Sequence, residues 1–274
     1  MIEVEAAGLS ETGPNRSMNE DSIGSFAPLD PTIRQRKGFL YALADGVGGH
    51  QAGEVASSTA VETVVKEYYS PSNHSRVEPA LQHAMQTANL RVHDLAQRHL
   101  EFRSMATTLT TLVLAGVQAF IAHIGDSRVY HWRRGRLARL TSDHSEAAEL
   151  VRMRIVSPER LRDHPGRNVL TRTLGGRLIV RPDFLRQIVE PADQFVLCSD
   201  GLWSEVGEDE MTEILGAYDP TTACKKLIDL AVARDCADNV SVYVVKVLSV
   251  VAEPNADQQR SGLLSSVMRR IGRV

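Results

Sequence analysis

Four aspartates in this sequence each stand next to a short apolar run that is closed by glycine or another turn residue. A run of this kind predicts a buried strand, so each aspartate is expected at a strand end. Carboxylates at strand ends can converge on one edge of a sheet, where their mutual repulsion requires a compensating charge. Divalent cations commonly supply that charge because they prefer oxygen ligands. The pattern therefore predicts a metal site that includes Asp45, Asp126, Asp200 and Asp238.

The composition limits the classes of protein to consider. A length of 274 residues predicts one large domain with a tail. The net charge of -3, with nearly balanced acids and bases, gives no support for a nucleic-acid partner. Cys198, Cys224 and Cys236 lack metal-ligand spacing and are interpreted as reduced thiols. Residues 1–5 lack the pattern of a signal peptide and no apolar run could span a bilayer, so we expect a cytoplasmic protein.

Hydrophobic periodicity predicts the elements that would position these aspartates. Alternation or short apolar runs predict strands, and apolar residues at three- and four-residue steps predict helices. Strands are predicted at residues 2–9, 39–44, 107–115, 118–124, 128–132, 136–140, 178–180, 184–189, 194–198 and 240–248. Helices are predicted at residues 51–69, 77–100, 146–153, 208–215 and 221–233.

The order of these elements predicts an α+β fold. Two facing antiparallel β-sheets would form a β-sandwich, and a pair of antiparallel helices would flank each side. The four strands between residues 107 and 140 have very short connections, which predict hairpins and hence an antiparallel meander. Residues 144–168 are polar and irregular, and they form either a mobile flap near a site or a plain surface connection.

The folded domain is predicted to comprise residues 1–248, and residues 249–274 are predicted to form a linker and a basic amphipathic tail. The apolar residues 263, 264, 267, 268 and 271 of the tail share one helical face, with arginines at 269, 270 and 273. Two interpretations stay open. The tail is either dispensable and frayed, or it is a helix that docks on a partner or an anionic membrane surface.

Seven sequence blocks resemble the motifs of the bacterial metal-dependent protein phosphatases of the protein phosphatase 2C type. They occur in the family's order between about residues 8 and 247, which is nearly the whole chain. The resemblance implies a serine/threonine phosphatase that acts on phosphorylated proteins, opposes a serine/threonine kinase and works as a monomer. The blocks are RSMNED (16–21), ADGVGGH (44–50) with GE (53–54), MATT (105–108), GDSR (125–128), LTRTLG (170–175), SDG (199–201) and DNVS (238–241).

The resemblance also implies two Mn²⁺ or Mg²⁺ ions in the cleft between the sheets. By their positions in the motifs, Asp45 would bridge both ions and Gly46 would give its backbone carbonyl to one of them. Asp200 and Asp238 would hold the other ion. Two such ions can share a water, lower its pKa and direct it at phosphorus, so that no protein nucleophile is required.

Further residues of the motifs would support this centre. Glu20 and Asp21 would contribute mostly through metal-bound waters, and Asn239 would lie behind the ligands without touching the ions. Asp126, together with Asp200, resembles the family's site for a third and weaker metal ion.

Two side chains would act on the substrate phosphate. The planar guanidinium of Arg16 could donate two charge-assisted hydrogen bonds to it, and His50 could protonate the leaving oxygen. Each has a structural alternative, Arg16 as a surface residue and His50 as a helix cap or the partner of a carboxylate. Asp126 has one as well, in which it closes its turn by pairing with Arg128. Ser204 stands where many family members carry another aspartate, and we expect at most a shifted metal affinity.

Two other functions stay open at this level. The chain could be a catalytically silent scaffold with the phosphatase fold, or a hydrolase of small phosphoesters or nucleotides. The presence of all five expected aspartates argues against the scaffold. The glycines after Asp45 lack the following Lys-Ser/Thr of a nucleotide-binding P-loop, which argues against the nucleotide hydrolase.

Overall fold

The computed structural model describes residues 2–47, 51–73, 76–157, 160 and 164–250. The strands are β1 (Ile2–Glu11), β2 (Asp21–Phe26), β3 (Phe39–Val47), β4 (Ala106–Thr107), β5 (Leu109–Ala115), β6 (Gln118–Ile124), β7 (Arg128–Arg133), β8 (Arg136–Arg139), β9 (Asp183–Ile188), β10 (Gln194–Cys198) and β11 (Val240–Val250). The helices are α1 (Pro31–Lys37), α2 (Gln51–Tyr68), α3 (Val77–Arg98), α4 (Glu146–Arg152), α5 (Asp200–Trp203), α6 (Glu208–Ala217) and α7 (Pro220–Ala233).

These strands form two sheets, and every pairing in them is antiparallel, as predicted. One sheet has five strands in the order β1-β11-β10-β7-β8. The other has the order β2-β3-β5-β6-β9, with the short strand β4 also paired to β3.

The side chains of β3 show how the layers pack. Leu40 and Ala42 belong to an apolar cluster with α2 and α3, whereas Tyr41 and Leu43 belong to a second cluster between the two sheets. Successive strand residues point to opposite faces, so an uninterrupted apolar run is required where both faces of a strand are covered. A third cluster lies between the five-stranded sheet and helices α6 and α7. The predicted order of helices, sheet, sheet and helices is therefore confirmed.

The meander predicted between residues 107 and 140 is wrong. Strands β5 and β6 form one hairpin and β7 and β8 another, but the two hairpins belong to different sheets. The connection of Gly125, Asp126 and Ser127 therefore crosses from one sheet to the other. Gly125 has a φ of 112°, which favours glycine, and a Cβ there would lie 2.4 Å from Thr108 Cγ2. A short connection does not require a hairpin where two sheets already face each other.

Two elements near the N-terminus, β2 and α1, were not predicted from hydrophobic periodicity. The edge strand β2 alternates weakly, because Gly24 lies so close to α2 that a Cβ would be 2.5 Å from Val61 Cγ1. Helix α1 is marked in the sequence by its N-terminal cap. Asp30 accepts a hydrogen bond from the Thr32 N–H at 2.8 Å, and Pro31 occupies the first helical position.

The strand predicted at residues 178–180 is wrong, since residues 178 and 179 form bends and residue 180 belongs to no strand. Side chains of α3 bind the backbone there in place of a neighbouring strand. Asn89 Nδ2 donates to the Arg177 carbonyl at 2.8 Å, and Gln86 Nε2 donates to the Leu178 carbonyl at 2.7 Å. The loop is thus held by α3 and not by a sheet ladder.

The remaining predictions divide into confirmed and untested ones. The three cysteines are free and buried, as expected of reduced thiols. None of the helices in the described ranges is long and apolar enough to cross a membrane. The helix predicted at residues 146–153 is present as α4, but residues 158–159 and 161–163 of the predicted flap lie outside the described residues. The tail, from residue 251 onward, and His50 also lie outside them.

Candidate active site

The five aspartates come from separate elements but lie at the same end of the two sheets. Asp21 begins β2 and is the direct register partner of Asp45, which lies two residues before the end of β3. Asp126 lies in the crossover that follows β6. Asp200 opens α5 two residues after the end of β10, and Asp238 stands two residues before β11.

The electrostatics of Asp45 show that these carboxylates converge. Burial and then repulsion from the other four aspartates raise the pKa of Asp45 well above its ordinary value. Burial and repulsion from Asp200 likewise raise the pKa of Asp126. The fold therefore brings five acids together without a matching set of basic side chains, an arrangement that a bound cation would relieve.

Two buried carboxylate oxygens of this cluster, Asp21 Oδ2 and Asp200 Oδ1, have no hydrogen-bond partner among the described residues. Burial raises the pKa of Asp21 to about 7, against hydrogen bonds from Ser241 and Ser199 that lower it. Burial and repulsion from Asp238 raise the pKa of Asp200 to about 6. An unpaired buried oxygen costs free energy, and carboxylate oxygens are the ligands that Mn²⁺ and Mg²⁺ accept.

Within the described ranges, no three acidic, cysteine or histidine side chains are arranged as a finished coordination sphere. The fit of the cluster to divalent cations rests instead on the all-oxygen donor set and on the two unpaired oxygens.

Gly46 allows the backbone of Glu20 to approach β3 closely. A Cβ on Gly46 would lie 2.2 Å from the Gly53 carbonyl oxygen and 2.6 Å from that of Glu20. The Glu20 carbonyl accepts hydrogen bonds from the Gly46 N–H at 3.1 Å and from Ser57 Oγ at 2.6 Å. Any larger residue at position 46 would displace the segment that carries Glu20 and Asp21.

Asn239 ties the same segment to β11. Its Oδ1 accepts the Glu20 N–H at 2.8 Å, and its Nδ2 donates to the carbonyls of Thr12 and Met18 at 2.7 and 2.9 Å. The buried amide thus holds the loop that contains Arg16 in place and does not point its oxygen at the cluster.

Two threonines that the sequence analysis did not assign hold the peptide of Asp45. Thr108 Oγ1 accepts the Asp45 N–H at 2.8 Å, and the Asp45 carbonyl accepts Thr107 Oγ1 at 2.8 Å. The Thr108 N–H donates to the same carbonyl at 2.9 Å. The MATT block marks these positions in the sequence. Their role as hydrogen-bond partners of the Asp45 peptide is visible only once β4 is paired with β3.

Arg16 lies at the rim of the cluster. Its Nη2 is 2.7 Å from Asp238 Oδ2, and its Nε donates to the Ala237 carbonyl at 3.2 Å. The guanidinium is partly exposed and so is accessible to a ligand above the carboxylates. These contacts hold Arg16 at the edge of the cluster, and its role as a phosphate-binding or a surface residue stays a prediction.

Asp126 does not pair with Arg128, the structural alternative considered from the sequence. Arg128 instead forms two hydrogen bonds to Asp143, at 3.0 and 2.7 Å, and stacks 3.5 Å above the ring of Trp203. The indole of Trp203 donates to the Asp126 backbone carbonyl at 3.0 Å. The turn is closed by these groups, which leaves the Asp126 carboxylate to the cluster.

His144 supports the same turn and was not singled out by the sequence analysis. Its ring Nδ1 accepts the Gly125 N–H at 3.1 Å, and the backbone N–H of His144 donates to the Gly125 carbonyl at 2.8 Å. Since Nδ1 is an acceptor, the ring proton is on Nε2, which lies 3.1 Å from Asp183 Oδ2. Burial lowers the pKa of His144, in agreement with a neutral ring.

A family profile described as "Protein phosphatase 2C" matches residues 15–227. The chain belongs to the protein phosphatase 2C family. The resemblance inferred from the seven sequence blocks is thereby confirmed.

Named members of the 2C family are similar over almost the whole chain. A putative protein phosphatase 2C-type of Streptococcus pyogenes serotype M6 is 35% identical over 240 residues, covering 86% of this chain and 94% of the relative. The serine/threonine phosphatase stp of Listeria innocua is 36% identical over 249 residues, covering 90% of each.

Solved structures of the 2C family agree with the fold. The Mycobacterium tuberculosis serine/threonine phosphatase PstP/Ppp has a TM-score of 0.80 at 31% identity, covering 91% of this chain and all of that one. The catalytic domain of PstP, in complex with two manganese ions, has a TM-score of 0.78 at 30% identity, covering 91% of this chain and 100% of that one.

Proposed function

We propose that this member of the protein phosphatase 2C family hydrolyses phosphoserine and phosphothreonine in proteins. The observation that carries the proposal is the convergence of five buried or half-buried aspartates at one end of the two facing sheets. The named relatives from Listeria and Mycobacterium are serine/threonine phosphatases. The chain spans nearly the full length of the streptococcal and Listeria proteins that it matches.

Asp21, Asp45, Asp200, Asp238 and the carbonyl of Gly46 would hold two divalent cations, Mn²⁺ or Mg²⁺. Such cations supply a water of lowered pKa and offset the negative charge of the phosphoryl group. The two manganese ions in the related PstP catalytic domain support this assignment. The unpaired oxygens of Asp21 and Asp200 support it from within this chain.

Arg16 would bind the substrate phosphoryl group. In the structure its Nη2 contacts Asp238 Oδ2 at 2.7 Å, so the guanidinium is already at the edge of the cluster. If the Asp238 carboxylate bound a metal ion, it would attract the Arg16 guanidinium less strongly. The guanidinium would then be free to donate two hydrogen bonds to phosphoryl oxygens. The segment is preorganised for this by the three hydrogen bonds of the Asn239 side chain.

Finer parts of the proposal rest on the motifs. Asp126 and Asp200 would hold a third, weaker ion, and His50 would protonate the leaving oxygen. Glu20 would contribute through water. The substrates would be proteins phosphorylated by a serine/threonine kinase in the cytoplasm, and the chain would act as a monomer.

Phosphate release from a phosphothreonine peptide tests the proposal. We expect hydrolysis with Mn²⁺ or Mg²⁺ and none after chelation. Asp45→Asn should lower the rate by about 100-fold or more, because the lost charge weakens the hold on both ions. Asp229→Asn, an exposed carboxylate on α7, is the matched control and should behave as wild type. Full activity of Asp45→Asn at saturating metal would exclude the binuclear assignment.

Two further measurements separate this proposal from the alternatives. A higher kcat/KM on nucleotides than on the peptide would favour the small-phosphoester hydrolase. A protein that binds the phosphopeptide with metal present but releases no phosphate would favour the scaffold.

A further inference from the structure

A groove of about 850 Å³ lies between the end of β6, helix α4 and the loop that precedes β9. Its lining residues include Ile124, Glu149, Arg172, Arg177, Arg181 and Asp183, and we call it the arginine groove. Ile124 lies two residues before Asp126. On the other side, Leu174 exchanges backbone hydrogen bonds with Thr107, which binds the Asp45 carbonyl. The groove is therefore connected to the cluster through two short stretches of backbone.

Two of the three arginines are available to a ligand. Arg172 is paired with Asp183, with Nη1 2.8 Å from Oδ1. Arg177 and Arg181 are exposed, and neither side chain has a hydrogen-bond or ion-pair partner among the described residues. No carboxylate of the described residues therefore forms an ion pair with either of them, and Glu149 is the one acid besides Asp183 among the described lining residues.

The sequence segment 145–182, which supplies most of the groove lining, has a charge opposite to that of the whole chain. Residues 145–182 contain eight arginines, four acids and no lysine, whereas the chain has a net charge of -3. Arginine suits the paired oxygens of carboxylates and phosphates, because its planar fork can donate two parallel hydrogen bonds.

The loop that carries Arg177 and Arg181 also presents aliphatic side chains. Leu178 and Ile179 are 61% and 75% exposed. The backbone beneath them is fixed by Asn89 and Gln86 of α3, which bind the carbonyls of residues 177 and 178. An anchored loop with exposed aliphatic groups between two free cations is a preorganised surface for an amphipathic ligand.

We propose that the arginine groove binds an anionic stretch of the substrate polypeptide, next to the phosphorylated residue that is hydrolysed. The anion is an acidic side chain or a second phosphate, and Ile179 covers an apolar neighbour of it. This inference rests on the proposed phosphatase function, because it requires the polypeptide to run from the cluster into the groove. A nucleic acid fits less well, since Glu149 and Asp183 interrupt the basic lining.

Three phosphothreonine peptides test the proposal. They share the central residue and differ in its flanks, which carry aspartates, a second phosphothreonine, or only serine and glycine. We expect wild-type protein with Mn²⁺ to hydrolyse both anionic peptides with kcat/KM roughly 5- to 10-fold above the neutral one, as two exposed charge pairs permit. The preference should shrink with added salt. The anionic peptide with the higher kcat/KM shows whether the groove prefers a carboxylate or a second phosphate.

The double variant Arg177→Ala/Arg181→Ala should lose most of this preference through KM, with kcat unchanged, because the groove contributes binding and not chemistry. Its kcat/KM on the neutral peptide should stay within about twofold of wild type. Arg136→Ala, at an exposed arginine on the edge strand β8 of the other sheet, is the control and should keep the preference. Equal rates on all three peptides in wild type, or an unchanged preference in the double variant, would overturn the proposal.

Binding of the fluorescently labelled aspartate peptide in chelator gives a readout that does not need turnover. Loss of this binding in the double variant supports the groove even if no peptide is hydrolysed, in which case only the phosphatase function fails. Hydrolysis of all three peptides at equal rates, with binding unaffected by the variant, removes the groove and keeps the phosphatase.

Discussion

At the scale of single residues, the buried carboxylate of Asp21 destabilises the metal-free folded protein by an amount that depends on pH. Burial, and less strongly the charges of Asp200 and Asp238, raise its pKa from 3.8 to about 7. A raised folded-state pKa means that the folded protein binds the proton more tightly than the unfolded chain. The resulting contribution to stability is fully present below pH 3.8 and is lost as the pH rises through about 7.

We therefore predict that Asp21→Asn stabilises the metal-free protein, because the amide carries no charge to bury. The gap in melting temperature between variant and wild type should open between pH 4 and pH 7 and stay constant above pH 7. At pH 8 the gap should reach about 2–8 °C, as a cost of roughly 1–2 kcal/mol gives in a chain of this size. Thermal melts in chelator measure it.

Saturating Mn²⁺ should reverse the order of Asp21→Asn and wild type, since the carboxylate then stabilises by binding the ion. The control Asp229→Asn, at an exposed position on α7, should melt like wild type with saturating Mn²⁺. A gap of the same size at pH 4 and pH 8 would mean that Asp21 acts through packing and not through its charge.

Asp126 allows the third ion to be separated from the two core ions. We predict that Asp126→Ala lowers kcat by about 10-fold or more. Calorimetry should still detect the tight metal sites, because Asp45 and Asp238 are retained. Since Arg128 is bound to Asp143, the loss of an ion pair in the turn is not expected. Wild-type turnover with a lowered melting temperature would instead assign Asp126 a structural role.

At the scale of elements, the crossover from β6 to β7 carries Asp126, and His144 fixes its geometry. Asparagine can place its Oδ1 near the position of Nδ1, whereas glutamine reaches the position of Nε2. We predict that His144→Asn keeps the bond to the Gly125 N–H and most of the turnover. His144→Gln should keep the contact with Asp183 but leave the buried Gly125 N–H unpaired, at a cost of about 1–3 kcal/mol.

Turnover of p-nitrophenyl phosphate and melting temperature distinguish these two variants. His144→Gln should be slower and less stable than His144→Asn. The opposite order would show that His144 acts through Asp183 and the arginine groove, and not through the crossover.

The elements that the sequence predicted well are those with a strong local period. The apolar run of β3 and the amphipathic pattern of α2 and α3 identify them without knowledge of the rest of the fold. Strand β2 was not predicted because its apolar alternation is broken at Gly24, where Val61 of α2 occupies the space that a side chain would need. The meander failed because no local pattern states to which sheet a strand belongs.

The residues of the candidate site also divide into those that the sequence predicts and those that it does not. The aspartates could be predicted because they stand at the ends of apolar runs and inside motifs. Thr107, Thr108 and His144 could not be assigned roles, because they act by binding backbone groups that are distant in sequence. Such bonds follow from tertiary packing, which the composition of a segment does not encode.

At the scale of the whole molecule, the described residues form two regions of opposite charge that short stretches of backbone connect. The acidic cluster attracts cations, and the arginine groove, with Arg177 and Arg181, attracts anions. An anionic polypeptide would therefore be held by the arginine groove, while the phosphoryl group approaches the cluster only when its charge is offset. This arrangement favours protein substrates over small phosphoesters, which cannot reach both regions.

The limits of the folded domain lead to a last prediction. Strand β11 pairs with β1 as far as Val250, opposite Ile2, so a chain that ends at residue 252 retains the whole ladder. Deletion of residues 253–274 should leave the melting temperature unchanged. The kcat/KM on a phosphothreonine peptide should stay within about twofold of the wild-type value. Binding to vesicles with anionic lipid, measured by co-sedimentation, then separates a docking tail, which loses binding on deletion, from a dispensable one.

A second truncation that begins at Val247 is the control. Val247 is fully buried between the sheets, and its N–H donates to the Asp193 carbonyl at 2.8 Å. Its removal should lower the melting temperature by several degrees, as the loss of one buried aliphatic side chain costs about 2 kcal/mol or more. A large loss of peptide turnover in the shorter deletion, without loss of stability, would mean that the tail takes part in catalysis and that the catalytic unit extends beyond residue 248.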